Sequence, residues 1–151
     1  MLQRDVQTQF GALILTEDDG AIIRLSWGTS GCADRSDVLD AAAAQLAEYD
    51  AGTRMGFDLP LSVRGSALQR DVCAAMSAIP FGYTVTYGDI ARDLGVPAQA
   101  IGQACGGNPI PIIIPCHRVM GAKGLTGFSG AGGVETKVAL LKHEGAGGFL
   151  I

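Results

Sequence analysis

The sequence predicts an α+β protein in which a small N-terminal αβ subdomain packs on a mainly helical C-terminal domain. Two β-prone runs, residues 10–15 and 21–27, flank an Asp-Gly turn and predict an antiparallel hairpin. An alanine-rich segment over 37–49 predicts one helix beside it. Beyond Arg64 the pattern changes to short helices separated by glycine and proline. We therefore expect an N-terminal subdomain over residues 1–63 and a C-terminal domain over residues 64–151.

The N-terminal subdomain offers no side chains that indicate chemistry. Residues 57–63 alternate apolar and polar side chains, which is typical of a strand, and Pro60 restricts that strand to a sheet edge. We interpret the subdomain as a structural cover for the C-terminal domain.

The C-terminal domain begins with a helix that Ser66 can cap. Its apolar residues recur at helical spacing and predict one buried face: Leu68, Val72, Met76 and Ile79. The segment 80–82 (PFG) then ends the helix.

Two further short helices follow in close succession. Thr86 and Asp89 form a capping-box pattern, and Gly95 ends the first helix. Pro97 lies in the first turn of the second helix, where a missing N–H costs nothing. The pair predicts a helix-turn-helix, although an ordinary corner between two helices has the same pattern. Ala98, Ala100 and Gly102 are expected on the outer face of the second helix, and such small side chains suit a minor groove better than a major groove.

Residues 108–119 (NPIPIIIPCHRV) are the most unusual stretch of the chain. Three prolines fix the backbone and remove N–H groups, which predicts a stiff, extended, buried segment ending at Cys116. Cys116 is either a small buried apolar residue or a nucleophile activated by a neighbouring imidazole. The chain contains two histidines, and one of them, His117, directly follows Cys116. This pairing favours the nucleophile.

Length, composition and cysteine spacing limit the classes of protein to which this chain can belong. The 151 residues can form one good core, and no apolar run approaches the roughly 20 residues of a membrane span. The N-terminus lacks a signal-peptide pattern, so we expect a cytoplasmic protein. The cysteines form no CxxC pair and indicate neither a zinc site nor any other metal site; they are Cys32, Cys73, Cys105 and Cys116.

The net charge of −4 is unevenly distributed. Residues 1–63 contain four basic residues against ten acidic ones, whereas residues 64–151 contain seven against five. The positive balance of the second half permits contact with phosphates, but a solvated surface explains it equally well.

Residues 115–119 (PCHRV) resemble the active-site motif of the O6-alkylguanine-DNA alkyltransferases, also called methylated-DNA–protein-cysteine methyltransferases. Four further blocks occur in the order and spacing of that family. They are residues 86–91 (TYGDIA), 107–109 (GNP), 127–130 (GFSG) and 134–144 (VETKVALLKHE). The resemblance is close over about residues 65–145.

The resemblance implies the transfer of an alkyl group from O6 of guanine in DNA to Cys116. It implies that His117 acts through a water as the base and that Glu144 orients the imidazole. Asn108 would fix the active-site turn, although it could equally cap a turn. Tyr87 would donate a hydrogen bond to the departing guanine, or else pack on its neighbours as an ordinary aromatic residue.

The resemblance also implies a pocket for a base that has left the duplex, together with a DNA-binding helix. The implied pocket residues are Phe128, Ser129, Cys105 and Val119. The implied DNA contacts are Ala98, Gln99, Ala100, Gly102 and Tyr87, on the minor-groove side of double-stranded DNA. The family usually has an arginine at the position of Gln99, and glutamine can neither stack a charge nor hold a phosphate. The glycine-rich loop 127–133 lacks phosphate-loop spacing.

An enzyme of this kind acts once, because the thioether product has no route back to a thiol. We expect a monomer with no cofactor. The alternative is a non-catalytic alkyltransferase-like protein that marks lesions, but such proteins lack the cysteine. A transcription regulator would need base-reading side chains, and a cysteine hydrolase would need an oxyanion hole.

Overall fold

The N-terminal part of the chain folds as a three-stranded antiparallel sheet in the order β1-β2-β3, covered by one helix. The computed structural model describes residues 1–121 and 133–146. The elements are β1 (Leu2–Thr8), β2 (Gly11–Asp18), β3 (Ala21–Trp27) and α1 (Asp37–Asp50). The predicted hairpin is confirmed as β2 and β3. Asp19 and Gly20 both have positive φ angles, 51° and 78°, as the tight turn requires.

Two features of this sheet differ from the sequence prediction. Strand β1 was not predicted, because its residues are mostly polar and none is fully buried. The predicted strand over 57–63 is wrong: the segment makes only an isolated parallel bridge between Leu61 and Ile22. Pro60 has no N–H to donate, and its carbonyl instead accepts from the Ile22 N–H at 2.9 Å.

Helix α1 packs against the sheet through four buried residues, Leu39, Ala42, Leu46 and Tyr49. Ser36 caps the helix by accepting a hydrogen bond from the Leu39 N–H at 3.0 Å. Its hydroxyl also donates to Glu17 on β2 at 2.6 Å, which fixes the start of the helix on the sheet. The last buried residue of α1, Tyr49, points toward the C-terminal half.

The C-terminal part is mainly helical, as predicted. Its helices are α2 (Ala67–Ser77), α3 (Tyr87–Leu94), α4 (Ala98–Gly106) and α5 (Val134–His143). The predicted capping box is confirmed, because Thr86 and Asp89 each bond the other's backbone N–H. Gly95 ends α3 in the left-handed conformation at φ 69°, and residues 95–97 connect α3 directly to α4.

The proline-rich segment is buried but is not extended throughout. It turns back at its centre, where the Ile114 N–H donates to the Ile110 carbonyl at 2.8 Å. Ile112 lies at φ 71°, an uncommon conformation for a β-branched residue. The prediction of a continuous extended path is therefore wrong at this turn, since the prolines fix their own φ angles but not those of the residues between them.

The chain leaves the segment through a 3₁₀ turn, Cys116–Arg118, and then enters β5 (Val119–Met120). Strand β5 pairs in parallel with β4 (Val85–Thr86), which directly precedes α3. The Leu25 N–H of β3 also donates to the Pro109 carbonyl at 3.0 Å, so the core runs from the sheet into the C-terminal half without a break. In the described ranges, no helix combines the length and the apolar character that crossing a membrane requires.

Candidate active site

Cys116 is the first residue of the 3₁₀ turn and is almost fully buried. Its N–H donates to the Ile114 carbonyl at 2.8 Å, and the Arg118 N–H donates to the Pro115 carbonyl at 3.0 Å. The turn is thus bonded to the proline-rich segment on both sides of Cys116. The sulfur is held at a fixed point.

Asn108 ties the two ends of that segment together. Its side-chain amide donates to the Ile114 carbonyl at 2.8 Å, and its side-chain oxygen accepts from the Ile110 N–H at 3.0 Å. Asn108 itself is buried, so these bonds are shielded from water. These two bonds hold the backbone turn that precedes Cys116, which is the position that the turn-fixing role implied by the resemblance requires.

The thiol of Cys116 is protonated at neutral pH. Burial raises the pKa of Cys116 to about 11, although a hydrogen bond with Asn108 and the charge of Lys137 act in the opposite direction. A thiol in this state needs a nearby base before it can attack carbon.

His117 is the adjacent base and is completely buried. Burial lowers the pKa of His117, so its imidazole is neutral at neutral pH. Its Nε2 lies 2.7 Å from Oε2 of Glu144. Because the ionised carboxylate can only accept, Nε2 carries the proton and donates it. The other nitrogen, Nδ1, is therefore the acceptor, and it has no partner among the described protein atoms.

Glu144 caps the C-terminus of α5 and fixes this tautomer. Arg118 donates to both oxygens, from Nε to Oε1 at 2.8 Å and from Nη2 to Oε2 at 3.0 Å. The hydroxyl of Tyr49 donates to Oε2 at 2.6 Å. Burial alone would raise the pKa of Glu144, but the hydrogen bonds from His117 and Arg118 outweigh it and hold the value at about 2.

The structure therefore brings together three residues that the sequence predicted, Cys116, His117 and Glu144. It adds two that were not given a role, Arg118 and Tyr49. Arg118 lies within the motif at residues 115–119 that carries the resemblance, so a role in the site could have been inferred from its position in the sequence. Tyr49 is the last residue of the segment that the sequence predicts as a helix, and nothing local in the sequence indicates its hydroxyl contact.

Lys137 is a third unpredicted member of the site. On α5 the apolar Val134 is exposed, whereas the charged Lys137 is 1% exposed. Its ammonium donates to the Val119 carbonyl at 2.7 Å and lies 6.0 Å from the centre of the Tyr87 ring. Burial lowers the pKa of Lys137, while Cys116 and Cys105 act to raise it. Lys137 lies one turn before the buried Leu140 and Leu141 and therefore shares the apolar face of α5 with them.

Tyr87 is the first residue of α3 and is partly buried. The pairing of Val85 with Val119 and of Thr86 with Met120 places it beside the exit of the Cys116 turn. The hydrogen bond from Tyr87 to the departing guanine, which the resemblance implies, stays a prediction.

Comparison with known proteins identifies the relatives of this arrangement. A family profile described as "6-O-methylguanine DNA methyltransferase, DNA binding domain" matches residues 67–146. The chain is 40% identical to the methylated-DNA–protein-cysteine methyltransferase of Mycolicibacterium paratuberculosis, over 93% of this chain and 90% of that protein. It is 38% identical to the constitutive enzyme of that name from Bacillus subtilis, over 91% and 92% of the two chains. The chain belongs to this methyltransferase family.

Solved structures of the family have the same architecture. The crystal structure of Mycobacterium tuberculosis OGT in complex with DNA matches with a TM-score of 0.86 and 37% identity, over 99% of this chain and 98% of that chain. The structure described as Mycobacterium tuberculosis O6-methylguanine methyltransferase matches with a TM-score of 0.84 and 37% identity, over 95% and 92% of the two chains. The predicted α+β fold class is confirmed.

In this member of the methyltransferase family, the exposed face of α4 is less smooth than the sequence predicts. Ala98 and Gln99 are exposed, whereas Ala100 and Gly102 are partly buried. Gln103, one turn after Gln99, is also exposed and was not predicted as a contact. The solvent face of the helix therefore presents two neutral amides rather than a row of small residues.

The four predicted pocket residues have different outcomes. Cys105 is buried at the end of α4, with its sulfur 3.5 Å from that of Met76, and burial raises the pKa of its thiol to about 12. Val119 is fully buried, and its carbonyl accepts a hydrogen bond from the Lys137 ammonium. Phe128 and Ser129 lie outside the described residues.

Proposed function

We propose that this protein repairs alkylated DNA by transferring the alkyl group from O6 of guanine to the sulfur of Cys116. The observation that supports this most directly is the buried Cys116 thiol followed by the His117–Glu144 pair, with His117 Nδ1 left as an acceptor. That arrangement supplies a nucleophile, a base and a group that orients the base. Family membership supplies the substrate class.

The reaction is a displacement at saturated carbon. The thiol proton passes to Nδ1 of His117, directly or through a water, and Glu144 stabilises the imidazolium that forms. The sulfur of Cys116 then bonds to the alkyl carbon as the bond from that carbon to O6 breaks. The electron pair of the broken bond leaves with guanine, which takes up a proton to become the normal base.

The remaining site residues favour the leaving group and the turn geometry. Tyr87 donates a hydrogen bond to the departing guanine, and Asn108 keeps the Cys116 turn in place. Cys105, Val119, Phe128 and Ser129 form the pocket for the flipped base. The charge of Lys137 favours the thiolate, as the electrostatic effect on Cys116 indicates.

DNA binds through α4 in this proposal. Helices α3 and α4 act as a helix-turn-helix whose second helix enters the minor groove with Ala98, Gln99, Ala100 and Gly102. Residues 64–151 carry DNA binding and alkyl transfer, and residues 1–63 form the N-terminal subdomain that packs on them. The protein works as a cytoplasmic monomer without a cofactor, in a compartment that keeps Cys116 reduced.

The reaction is stoichiometric, and this property provides the test. Incubation with a duplex oligonucleotide containing O6-methylguanine should add one methyl group to the intact protein and then stop at one equivalent. Peptide mapping should locate the methyl group on Cys116. An unmodified duplex is the control, and a protein mass that stays unchanged with the damaged duplex contradicts the proposal. Unchanged mass together with retained binding would instead indicate a non-catalytic lesion-marking protein, which the presence of Cys116 argues against.

A Gln99→Arg variant should bind DNA more tightly or repair it faster than the parent protein. An arginine at this exposed position adds a charge that can contact phosphate and a planar group that can stack in the gap left by the flipped base. We expect a gain of about threefold to tenfold in affinity, since one charged contact contributes on the order of 1 kcal/mol.

Fluorescence anisotropy with the damaged duplex, at one fixed salt concentration, measures this gain. Gln103→Arg is the matched control, because it places the same charge one helical turn away from Gln99. Equal affinities and equal repair rates for Gln99→Arg and the parent protein would contradict the prediction.

A further inference from the structure

We propose that Tyr49 is a positioning residue of the alkyl-transfer site, whose hydroxyl holds Glu144 and sets how strongly Glu144 attracts the proton of His117. This inference rests on the proposed function. It gives the N-terminal subdomain a part in the chemistry, whereas the sequence indicated only a structural cover.

The contact is direct and buried. The Tyr49 hydroxyl lies 2.6 Å from Oε2 of Glu144, the same oxygen that accepts from Nε2 of His117 at 2.7 Å. Tyr49 is 1% exposed, so water does not compete for the bond. Oε2 also accepts from Nη2 of Arg118 at 3.0 Å. Three donors therefore share one oxygen, and a change in any one of them alters the other two bonds.

Tyr49 is held at its backbone by His143, the neighbour of Glu144, and at its ring by His143 and Phe57. Its backbone carbonyl accepts a hydrogen bond from Nε2 of His143 at 2.6 Å. Its ring lies 4.9 Å from the His143 ring and 5.5 Å from the Phe57 ring, measured between centroids. The hydroxyl therefore cannot turn away from Glu144 without breaking this packing, and its position is fixed relative to the end of α5.

The electrostatic setting makes Tyr49 a permanent donor. Burial raises the pKa of Tyr49, and the neighbouring carboxylate raises it further, so the hydroxyl keeps its proton. The other ionisable groups that face this pair are Arg118, Lys137 and His117 near Glu144, and Asp50 and His143 near Tyr49. Arg118 and Lys137 both act to lower the pKa of His117, and Glu144 acts to raise it.

A donor on Oε2 weakens the pull of that oxygen on the His117 proton. Without the Tyr49 hydroxyl, Oε2 accepts hydrogen bonds from His117 and Arg118 only. Its negative charge then interacts more strongly with these two N–H groups. The Nε2–H bond to Oε2 then becomes stronger and the imidazolium is better stabilised. The pKa of His117 therefore rises, and His117 becomes neutral and able to accept the thiol proton only at higher pH.

The test compares Tyr49→Phe with the parent protein by ¹⁵N-edited NMR of the histidine side chains. The chain has two histidines, so a His143→Gln sample assigns the signals. In Tyr49→Phe we expect the Nε2–H proton of His117 to move downfield. The acid-side midpoint of the methyl-transfer rate should also rise by about one pH unit, the size expected for one hydrogen bond to a charged group. Tyr83→Phe removes the same atom from an exposed tyrosine and is the control.

An Nε2–H signal that stays in place or moves upfield overturns the proposal, as does an unchanged pH midpoint. A purely structural role for Tyr49 would lower the thermal unfolding temperature without moving either readout. Should Tyr49→Phe fail to fold, 3-fluorotyrosine at position 49 keeps the ring and makes the hydroxyl a stronger donor, so the signal must move upfield. The NMR readout needs no substrate. A parent protein that transfers no methyl group would therefore contradict the proposed function and leave the test of Tyr49 intact.

Discussion

A Cys116→Ala variant should take up no methyl group from O6-methylguanine in DNA while still binding the damaged duplex. Among the cysteines, Cys116 alone is followed in the sequence by a histidine, and the imidazole of that His117 is completely buried. Cys105 is also a buried thiol, but its sulfur contacts the sulfur of Met76 and the next residue in the chain is a glycine rather than a histidine. The substitution removes one buried atom and should lower the free energy of unfolding by about 1 kcal/mol. The loss of transfer is therefore chemical rather than structural.

Intact-mass spectrometry after incubation with the damaged duplex measures the transfer, and anisotropy with the same duplex measures binding. Cys32→Ala is the matched control, because Cys32 lies in the loop between β3 and α1 and is bonded locally to Ser30. It should accept one methyl group as the parent protein does. Methylation of the Cys116→Ala variant at the rate and extent of the parent protein would show that Cys116 is not the acceptor.

The parts of this fold that the sequence predicts are those set by neighbouring residues. The Asp19-Gly20 turn and the Thr86–Asp89 capping box each depend on a few adjacent side chains, and both occur in the structure as predicted. Cys116 and His117 are adjacent in the chain, so their chemistry can be inferred from the motif alone. Glu144 was reached through the resemblance and not through spacing.

The parts that the sequence did not predict depend on distant contacts. Tyr49 precedes Glu144 by 95 residues, and nothing near Tyr49 indicates its partner. Lys137 is buried because the Val119 carbonyl is available to its ammonium, which an isolated helix pattern cannot show. Strand β1 has a polar sequence and forms because β2 offers it a full antiparallel register, from Leu2–Glu17 to Thr8–Gly11. In each case the partner decides the outcome, not the local propensity.

A Glu144→Gln variant should lose both activity and stability. The amide is neutral, and its NH₂ group must face a donor of Arg118, His117 or Tyr49, so at least one buried donor is left without an acceptor. The ion pair with Arg118 is also lost inside the protein. We expect the methyl-transfer rate to fall by about 10²- to 10⁴-fold, because His117 loses its orientation and the stabilisation of its charge. The free energy of unfolding should fall by about 3 to 5 kcal/mol.

The pH dependence of stability separates this role from a general packing defect. The folded pKa of Glu144, about 2, lies below its ordinary value of 4.5, so the carboxylate stabilises the fold at neutral pH. That contribution is complete above pH 4.5 and is lost as the pH falls toward 2. Urea unfolding should therefore show a difference between the parent protein and Glu144→Gln that is largest near neutral pH and shrinks over this window. Glu135→Gln, on the exposed first turn of the same helix, is the matched control and should unfold at the same urea concentration as the parent protein at neutral pH. A difference that stays constant from pH 7 to pH 2 would mean that the charge of Glu144 is not what stabilises the site.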